Sequence, residues 1–224
     1  RVNFETLLYQ VLRSSGEQTS ADTNLTSAFS VGTGVRVVNA DKLFSQGSIV
    51  STDNALDLAV DGAGFFQVLL PDGRIGYTRN GTFSRNNEGA LTTSSGFVIQ
   101  PEVVIPEDAQ EINVSSDGVV SVQLPGAVEQ EEVGQIELAE FQNRNGLQPI
   151  GESFYVETTA SGEAIIANPL EGSFGKLVQG ALESSNVSVV KELVDMIETQ
   201  RAYEVNSKAI SSVDEMLRFI SNNL

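Results

Sequence analysis

The sequence contains no cysteine, no histidine and no tryptophan. Without cysteine and histidine it has no thiolate nucleophile, no imidazole base and none of the usual zinc ligands, so most hydrolytic and transition-metal chemistry is excluded. A chain without cysteine is compatible with any redox compartment, and it also suits a protein that is exported unfolded. We therefore expect no catalytic residue, no metal ligand and no cofactor.

Basic side chains are scarce. Thirteen Lys and Arg stand against 30 Asp and Glu, which gives a net charge of -17, and residues 86–143 contain eleven acidic side chains but neither Lys nor Arg. This charge has the wrong sign for contacts with phosphates, so nucleic acid is not an expected partner.

Long apolar runs are also missing. None approaches the roughly twenty residues that a bilayer-spanning helix needs, so direct membrane insertion is not expected. No signal peptide is visible at the start, and the first residue is Arg1 instead of Met. We expect a fragment or a processed product.

The stretch 186–224 contains no Gly and no Pro, which predicts one long helix. Apolar residues recur along it at heptad spacing and are joined near the end by a second apolar line. The predicted assembly interface is this stripe: Val189, Met196, Tyr203, Ile210, Val213, Leu217, Ile220 and Leu224. A helix of this length is typical of a coiled coil or an assembly element. The alternative is that the helix folds back and buries the stripe on its own domain.

The first fifty residues predict a different kind of structure. Residues 2–12 carry apolar side chains at helical spacing, which predicts a short amphipathic helix: Phe4, Leu7, Leu8 and Val11. The polar segment 13–30 predicts a long loop. Two short β-rich pieces follow, Val35–Val38 and Ser48–Ser51.

Between residues 56 and 159, turn signals alternate with strand-length runs. The signals are Asp61-Gly62, Asp72-Gly73, Asn80-Gly81, Asn87-Glu88-Gly89, Asp117-Gly118 and Asn145-Gly146. The runs are Phe65–Leu70, Gly76–Arg79, Phe97–Gln100, Val119–Gln123, Gln135–Phe141 and Phe154–Glu157. Asn-Gly and Asp-Gly between such runs favour hairpins, because tight hairpin turns need positive φ. We predict an antiparallel β domain.

The predicted fold is mainly β with α: a turn-rich antiparallel β domain on an irregular stalk, plus a long C-terminal helix of coiled-coil type. The short helix, the polar loop and the first half of the stalk occupy 1–50, and the outer β domain occupies 51–160. The second half of the stalk is 161–185, and the assembly helix is 186–224. The two halves of the stalk are expected to lie side by side.

Two motifs could indicate a ligand site. Gly62-Ala63-Gly64 resembles the start of a dinucleotide fingerprint, but a strand follows where that motif requires a helix. Glu129, Glu131 and Glu132 form an acidic cluster without the alternating oxygen-ligand spacing of a calcium loop, which favours a solvated loop.

Several longer motifs occur in a fixed order along nearly the whole chain. Gly64-Phe65-Phe66-Gln67-Val68 is followed by Leu70-Pro71-Asp72-Gly73 and by Tyr77-Thr78-Arg79-Asn80-Gly81-Thr82-Phe83. Leu182-Glu183-Ser184-Ser185-Asn186-Val187 and Gln200-Arg201-Ala202-Tyr203-Glu204 follow in the C-terminal part. Together these motifs resemble the signature of bacterial flagellar rod and hook proteins.

Within that family the chain most resembles the distal rod member, and the proximal rod paralogue is the alternative. The resemblance implies a structural, non-enzymatic subunit that self-assembles into a hollow helical drive shaft, transmits torque from motor to hook and encloses the export channel. The implied partners are further copies, other rod proteins, the hook protein, and the periplasmic and outer-membrane ring proteins around the rod. The implied location is the basal body, in the periplasmic space, which the protein reaches by export without a cleaved signal peptide. The family carries a further N-terminal helix that pairs with the C-terminal one, and this chain starts after it.

Two functions of other classes stay open from the residues alone. A secreted adhesin or polysaccharide-binding β module would suit the turn-rich domain, although four Tyr and no Trp are a thin supply for stacking on sugars. A glycosidase would need two carboxylates at a defined separation in a cleft.

Overall fold

The computed structural model describes residues 2–13, 18–20, 23–24, 29–126 and 130–222. Within these ranges lie 22 strands, one short 3-10 helix at Arg144–Gly146 and one α-helix, α1, at Val189–Asn222. The strands are β1 Val2–Thr6, β2 Tyr9–Arg13, β3 Gln18–Ser20, β4 Thr23–Asn24, β5 Phe29–Gly32, β6 Val35–Ala40, β7 Ile49–Ser51, β8 Leu58–Asp61, β9 Phe65–Leu69, β10 Ile75–Thr78, β11 Phe83–Arg85, β12 Leu91–Thr93, β13 Ile99–Gln100, β14 Glu111–Val114, β15 Val119–Gln123, β16 Glu131–Gln135, β17 Leu138–Glu140, β18 Gln148–Gly151, β19 Phe154–Val156, β20 Ile165–Ala167, β21 Lys176–Gln179 and β22 Ala181–Glu183. All pairings between these strands are antiparallel, which confirms the predicted fold class.

The predicted amphipathic helix at residues 2–12 is wrong, because this segment forms β1 and β2. Strand β1 pairs with β6, β2 with β5, and β3 with β4, so the described parts of residues 2–40 form one nested antiparallel ribbon. The polar segment predicted as a loop therefore contributes strands to this ribbon. Phe4 lies opposite Val37, and the Glu5 carboxylate pairs with the Arg36 guanidinium at 3.0 Å. The partners of β1 lie 29 to 38 residues away, and local helical spacing cannot reveal them.

A seven-stranded sheet forms the centre of the β domain. Its order is β18-β19-β10-β9-β17-β20, and β13 also pairs with β9. Strand β9 is buried on both faces, so Phe66 packs into the main core while its neighbour Phe65 packs on the opposite face. The main core also contains buried side chains from strands of this sheet and of the other sheets and from the connections between strands: Leu58, Val60, Phe83, Leu91, Ile99, Val103, Ile105, Val114, Val120, Val122, Ile136, Leu138 and Leu177.

Three of the six turn signals close hairpins as predicted. Asp72-Gly73 joins β9 to β10, Asn87-Glu88-Gly89 joins β11 to β12, and Asp117-Gly118 joins β14 to β15. The glycines of these turns have φ between 81° and 90°.

The other three turn signals do not close hairpins, and their glycines lie in close backbone contacts. A Cβ at Gly62 would lie 2.6 Å from the Cα of Gly175, and one at Gly81 would overlap the Leu58 carbonyl. A Cβ at Gly146 would lie 2.6 Å from the backbone of Ala160. A glycine signal alone cannot separate these two uses.

The predicted irregular half of the stalk, 161–185, is also wrong in part. It contains β20, at one edge of the central sheet, and β21, which pairs with β8 and places Leu177 in the main core. Only β22 belongs with the stalk, where it pairs with β7. Leu182 lies opposite Val50 in that pair, so the two halves of the stalk do lie side by side as predicted.

Candidate assembly interface

Helix α1 spans 34 residues, which is about 51 Å at the usual rise per residue. Its first turn is held by the Glu192 amide, which donates to the Ser188 carbonyl at 3.0 Å. Glu192 also places a negative charge at the positive end of the helix dipole. The helix thus begins immediately after the stalk and continues to the end of the described chain.

The predicted stripe lies on α1 and is exposed. Its seven described members have between 49% and 75% of their surface accessible: Val189, Met196, Tyr203, Ile210, Val213, Leu217 and Ile220. The eighth, Leu224, lies outside the described residues. The alternative that α1 folds back and buries this stripe on its own domain is therefore wrong for the seven described residues. An exposed apolar surface of this extent is typical of an interaction site.

The stalk joins α1 to the β domain through hydrogen bonds between its two halves. The Ser184 amide donates to the Ser48 carbonyl at 2.8 Å, and the Gly47 amide donates to a Glu183 carboxylate oxygen at 2.8 Å. The Asn186 side-chain amide donates to the carbonyls of Leu43 and Ser45 at 3.0 and 2.8 Å. These bonds leave little freedom between the two halves of the stalk.

Arg79 fixes this stalk to the central sheet. Its guanidinium pairs with the Glu183 carboxylate at 2.9 Å, and both side chains are largely buried, at 23% and 14% exposed. The same guanidinium donates to the carbonyls of Val60, Gly62 and Gly64 at 3.2, 2.8 and 2.7 Å. The rigid planar fork of Arg suits such multiple contacts, and a Lys could not reproduce them. We call Arg79, Glu183 and these three carbonyls the Arg79 clamp.

An aromatic cluster supports the same joint. Phe44 of the stalk makes edge-on contacts with Phe65 and Tyr155 at centroid distances of 5.9 and 5.5 Å. Phe141 extends the cluster to Tyr77 at 4.7 Å. Burial raises the pKa of Tyr77 to about 12, and the charge of Glu157 and a hydrogen bond with it act in the same direction. The phenol therefore stays neutral at physiological pH.

The clamp and the aromatic cluster were not singled out from the sequence. Arg79 lies in the Tyr77–Phe83 motif and Glu183 in the Leu182–Val187 motif, and these two motifs were the available signal. Their side chains meet across 104 positions of sequence, which spacing alone does not predict. A cavity of about 370 Å³ lies beside them and is lined by Phe44, Arg79, Tyr155, Glu183 and Asn186, among others.

The other candidate ligand sites have structural roles or lie partly outside the described chain. Gly62-Ala63-Gly64 contributes two of the carbonyls that Arg79 binds. Glu131 and Glu132 are exposed and lie on strand β16, not in a loop as predicted, and Glu129 lies outside the described residues. Within the described ranges no three acidic side chains are grouped in a way that could hold a metal ion. No helix in that part of the chain combines the length and apolarity needed to cross a bilayer.

A β domain from which a long helix extends with its apolar stripe exposed is a layout typical of structural subunits. Family models match in two places: the flagellar hook protein FlgE/F/G D1 domain at residues 59–122, and the flagellar basal body rod FlgEFG protein C-terminal region at 178–224. The second match covers the whole of α1.

Curated relatives narrow this class. The flagellar basal-body rod protein FlgG of Buchnera aphidicola is 48% identical over 221 residues, covering 99% of this chain and 85% of the relative. FlgG of Caulobacter vibrioides is 44% identical over 222 residues, with the same coverage. The flagellar hook protein FlgE of Salmonella typhimurium is 42% identical over 118 residues, covering 52% of this chain and 29% of that protein. The chain belongs to the FlgG family of flagellar basal-body rod proteins and is a structural subunit of the rod.

Proposed function

We propose that this chain polymerises through α1 into the hollow helical shaft of the distal rod, which transmits torque from motor to hook and encloses the export channel. The observation that carries the proposal is the apolar stripe of α1, exposed over the whole described helix. A chain with this surface is incomplete as a monomer. Copies related by a rotation that does not close on itself form a helical filament.

Burial of the stripe supplies the association energy. Each large apolar side chain that becomes fully buried contributes about 1.5–3 kcal/mol, so seven half-exposed ones contribute on the order of 10 kcal/mol before the loss of rigid-body freedom. That gross value is sufficient for a stable assembly when every subunit makes the contact with several neighbours.

The proposal extends to location and partners. We place the subunit in the periplasmic part of the basal body, after export, in contact with other rod proteins and the hook protein and surrounded by periplasmic and outer-membrane ring proteins. Its role there is mechanical and not enzymatic. In this proposal the β domain faces outward, where its acidic surface meets the ring proteins.

Leu217→Asp tests the proposal. Leu217 is 59% exposed, so the substitution leaves the isolated chain folded but places a charge within the contact between subunits. We expect loss of swimming and of assembled rods in cells, with an unchanged circular dichroism spectrum of the purified chain.

Ser211→Asp is the matched control, since it adds the same charge to an exposed polar position six residues earlier on the same helix. We expect swimming to be retained in this variant. Wild-type swimming of the Leu217→Asp strain would refute a role for the stripe in assembly.

A further inference from the structure

Both methionines of the sequence lie on α1. This helix contributes 34 of the 224 residues, and it holds Met196 and Met216. Because cysteine is absent, these two thioethers contain the only sulfur atoms of the sequence. Thiol and thioether sulfur atoms are the common targets of oxidants in proteins. Oxidation at sulfur is therefore confined to the helix that carries the apolar stripe.

The two methionines are accessible and belong to the apolar surface of α1. Met196 is a member of the stripe and is 51% exposed, and Met216 is 58% exposed. Met216 lies three residues after Val213 and four before Ile220, so these three side chains share one side of the helix. At about 1.5 Å per residue, the two methionines lie roughly 30 Å apart along the axis. Oxidation therefore alters the apolar surface near both ends of α1.

Peroxide converts such a side chain into a polar one. The thioether sulfur attacks one oxygen of hydrogen peroxide, so that an S–O bond forms as the O–O bond breaks. The sulfur gives up two electrons and becomes a sulfoxide, and the peroxide is reduced to water. The sulfoxide oxygen needs a hydrogen-bond donor. Water supplies that donor in the free subunit, whereas an apolar contact between subunits does not.

We propose that Met196 and Met216 are oxidation sites that control assembly: peroxide converts them to sulfoxides in the unassembled subunit and hinders its assembly, and assembly shields both sulfur atoms. This control rests on the proposed assembly through α1. It adds a chemical condition to that function, because a subunit enters the shaft readily only with both thioethers reduced. The β domain has no thiol or thioether, so its fold is not a target of the same oxidation.

The reactivity of the two side chains is measured first. Isolated basal bodies, and subunits dissociated from them, are treated with the same concentration of hydrogen peroxide, and peptide mass spectrometry follows sulfoxide formation at Met196 and Met216. In dissociated subunits we expect rates within about threefold of that of free methionine, and in basal bodies rates lower by about tenfold or more. Fast oxidation in both samples would refute assembly through α1 itself, which is the proposed function. Slow oxidation in both would overturn the oxidation sites.

The effect on assembly is tested with variants that need no oxidant. Met196→Gln combined with Met216→Gln keeps the side-chain length but adds a polar end, and Gln forms helices about as well as Met. We expect about tenfold fewer basal bodies per cell or less, and loss of swimming, with an unchanged circular dichroism spectrum of the purified chain. Met196→Leu combined with Met216→Leu is the matched apolar pair and should assemble normally. Wild-type assembly of the Gln pair would overturn the inference.

Peroxide is then given to cells during the synthesis of new rods. We expect the number of new basal bodies to fall at least about threefold more in the wild type than in the Leu pair, because general damage by peroxide is the same in both strains. Single Leu variants replace the pair if the pair itself assembles poorly. Equal sensitivity of the strains would show that sulfoxide formation does not control assembly.

Ser211→Met, added to the Leu pair, is the positional control. Ser211 is exposed and lies two residues from Val213, so it is about 160° from Val213 around the axis of α1. The added thioether is oxidisable but lies away from the stripe. This strain should resist peroxide as well as the Leu pair does, and wild-type sensitivity would overturn the assignment of the effect to Met196 and Met216.

Discussion

Removal of the Arg79 guanidinium tests whether the Arg79 clamp holds the stalk on the β domain. Arg79→Met keeps much of the aliphatic side chain but removes the ion pair to Glu183 and the donors to three backbone carbonyls. Lost charge-assisted bonds of this kind account for about 1 kcal/mol each. The largely buried Glu183 carboxylate, left without its ion-pair partner, adds about 1 kcal/mol more. The Val60 carbonyl keeps a longer contact to the Gln46 side chain at 3.4 Å. We therefore expect the free energy of unfolding to fall by about 4 kcal/mol.

Arg74→Met is the matched control. Arg74 pairs with Asp72 at 2.6 Å, a shorter distance than that of Arg79 and Glu183, but the two side chains are 61% and 46% exposed. Water competes for both charges of an exposed ion pair, so we expect almost no change in stability. The comparison separates the effect of burial from the effect of distance.

Urea unfolding followed by far-ultraviolet circular dichroism measures both variants, since the chain has no tryptophan for fluorescence. Adding Glu183→Gln to Arg79→Met should restore about 1 kcal/mol, because it removes the unpaired charge. Equal stability loss in the Arg79 and Arg74 variants would refute the clamp. So would a loss below about 1 kcal/mol for Arg79→Met.

Two further predictions concern other positions of the β domain. Gly81→Ala should lower the free energy of unfolding by more than about 2 kcal/mol, because its Cβ would overlap the Leu58 carbonyl. Gly73→Ala should lower it by only about 1 kcal/mol, because a Cβ at Gly73 lies in open space and only its φ of 81° is unfavourable. Equal melting temperatures for the two variants would contradict this prediction. Burial raises the pKa of Tyr77 to about 12, above its ordinary value of 10.0, so the unfolded chain releases this proton first and stability should decline as pH rises from about 10 to about 12. Tyr77→Phe should decline less over the same range in pH-dependent melting, and parallel curves for the two proteins would exclude the effect.

The features that were predicted correctly from the sequence depend on residues close together along the chain. The long helix and its stripe follow from local heptad spacing, and the antiparallel class follows from the density of turn signals. The hairpins at Gly73, Gly89 and Gly118 were found for the same reason. The site of the stripe on α1 was thus predictable, whereas its function as an interface stays a prediction.

The features that were not predicted from the sequence depend on partners that are far apart along the chain. Residues 2–12 have apolar side chains that satisfy helical spacing, yet the pairing of β1 with β6 decides their structure. Gly62 and Gly81 match the sequence pattern of hairpin turns. In the fold, the backbones of Gly175 and Leu58 leave no room for a Cβ at these two positions. From the sequence alone, Arg79 cannot be distinguished from an ordinary surface charge. Its partners, Glu183 and the carbonyls from Val60 to Gly64, come together only in the fold.

The connection from α1 to the β domain has the properties that transmission of shear requires. A flexible linker would absorb a rotation of the helix before the β domain moved. In this chain each residue from 184 to 188 takes part in a hydrogen bond: the Val187 amide donates to the Ser185 hydroxyl at 3.2 Å, and the bonds of Ser184, Asn186 and Ser188 hold the residues on either side. The path continues through Glu183 and Arg79 into the central sheet. Because a subunit that assembles through its helix and contacts neighbours through its β domain carries load between the two, the clamp is as necessary to the proposed shaft as the stripe.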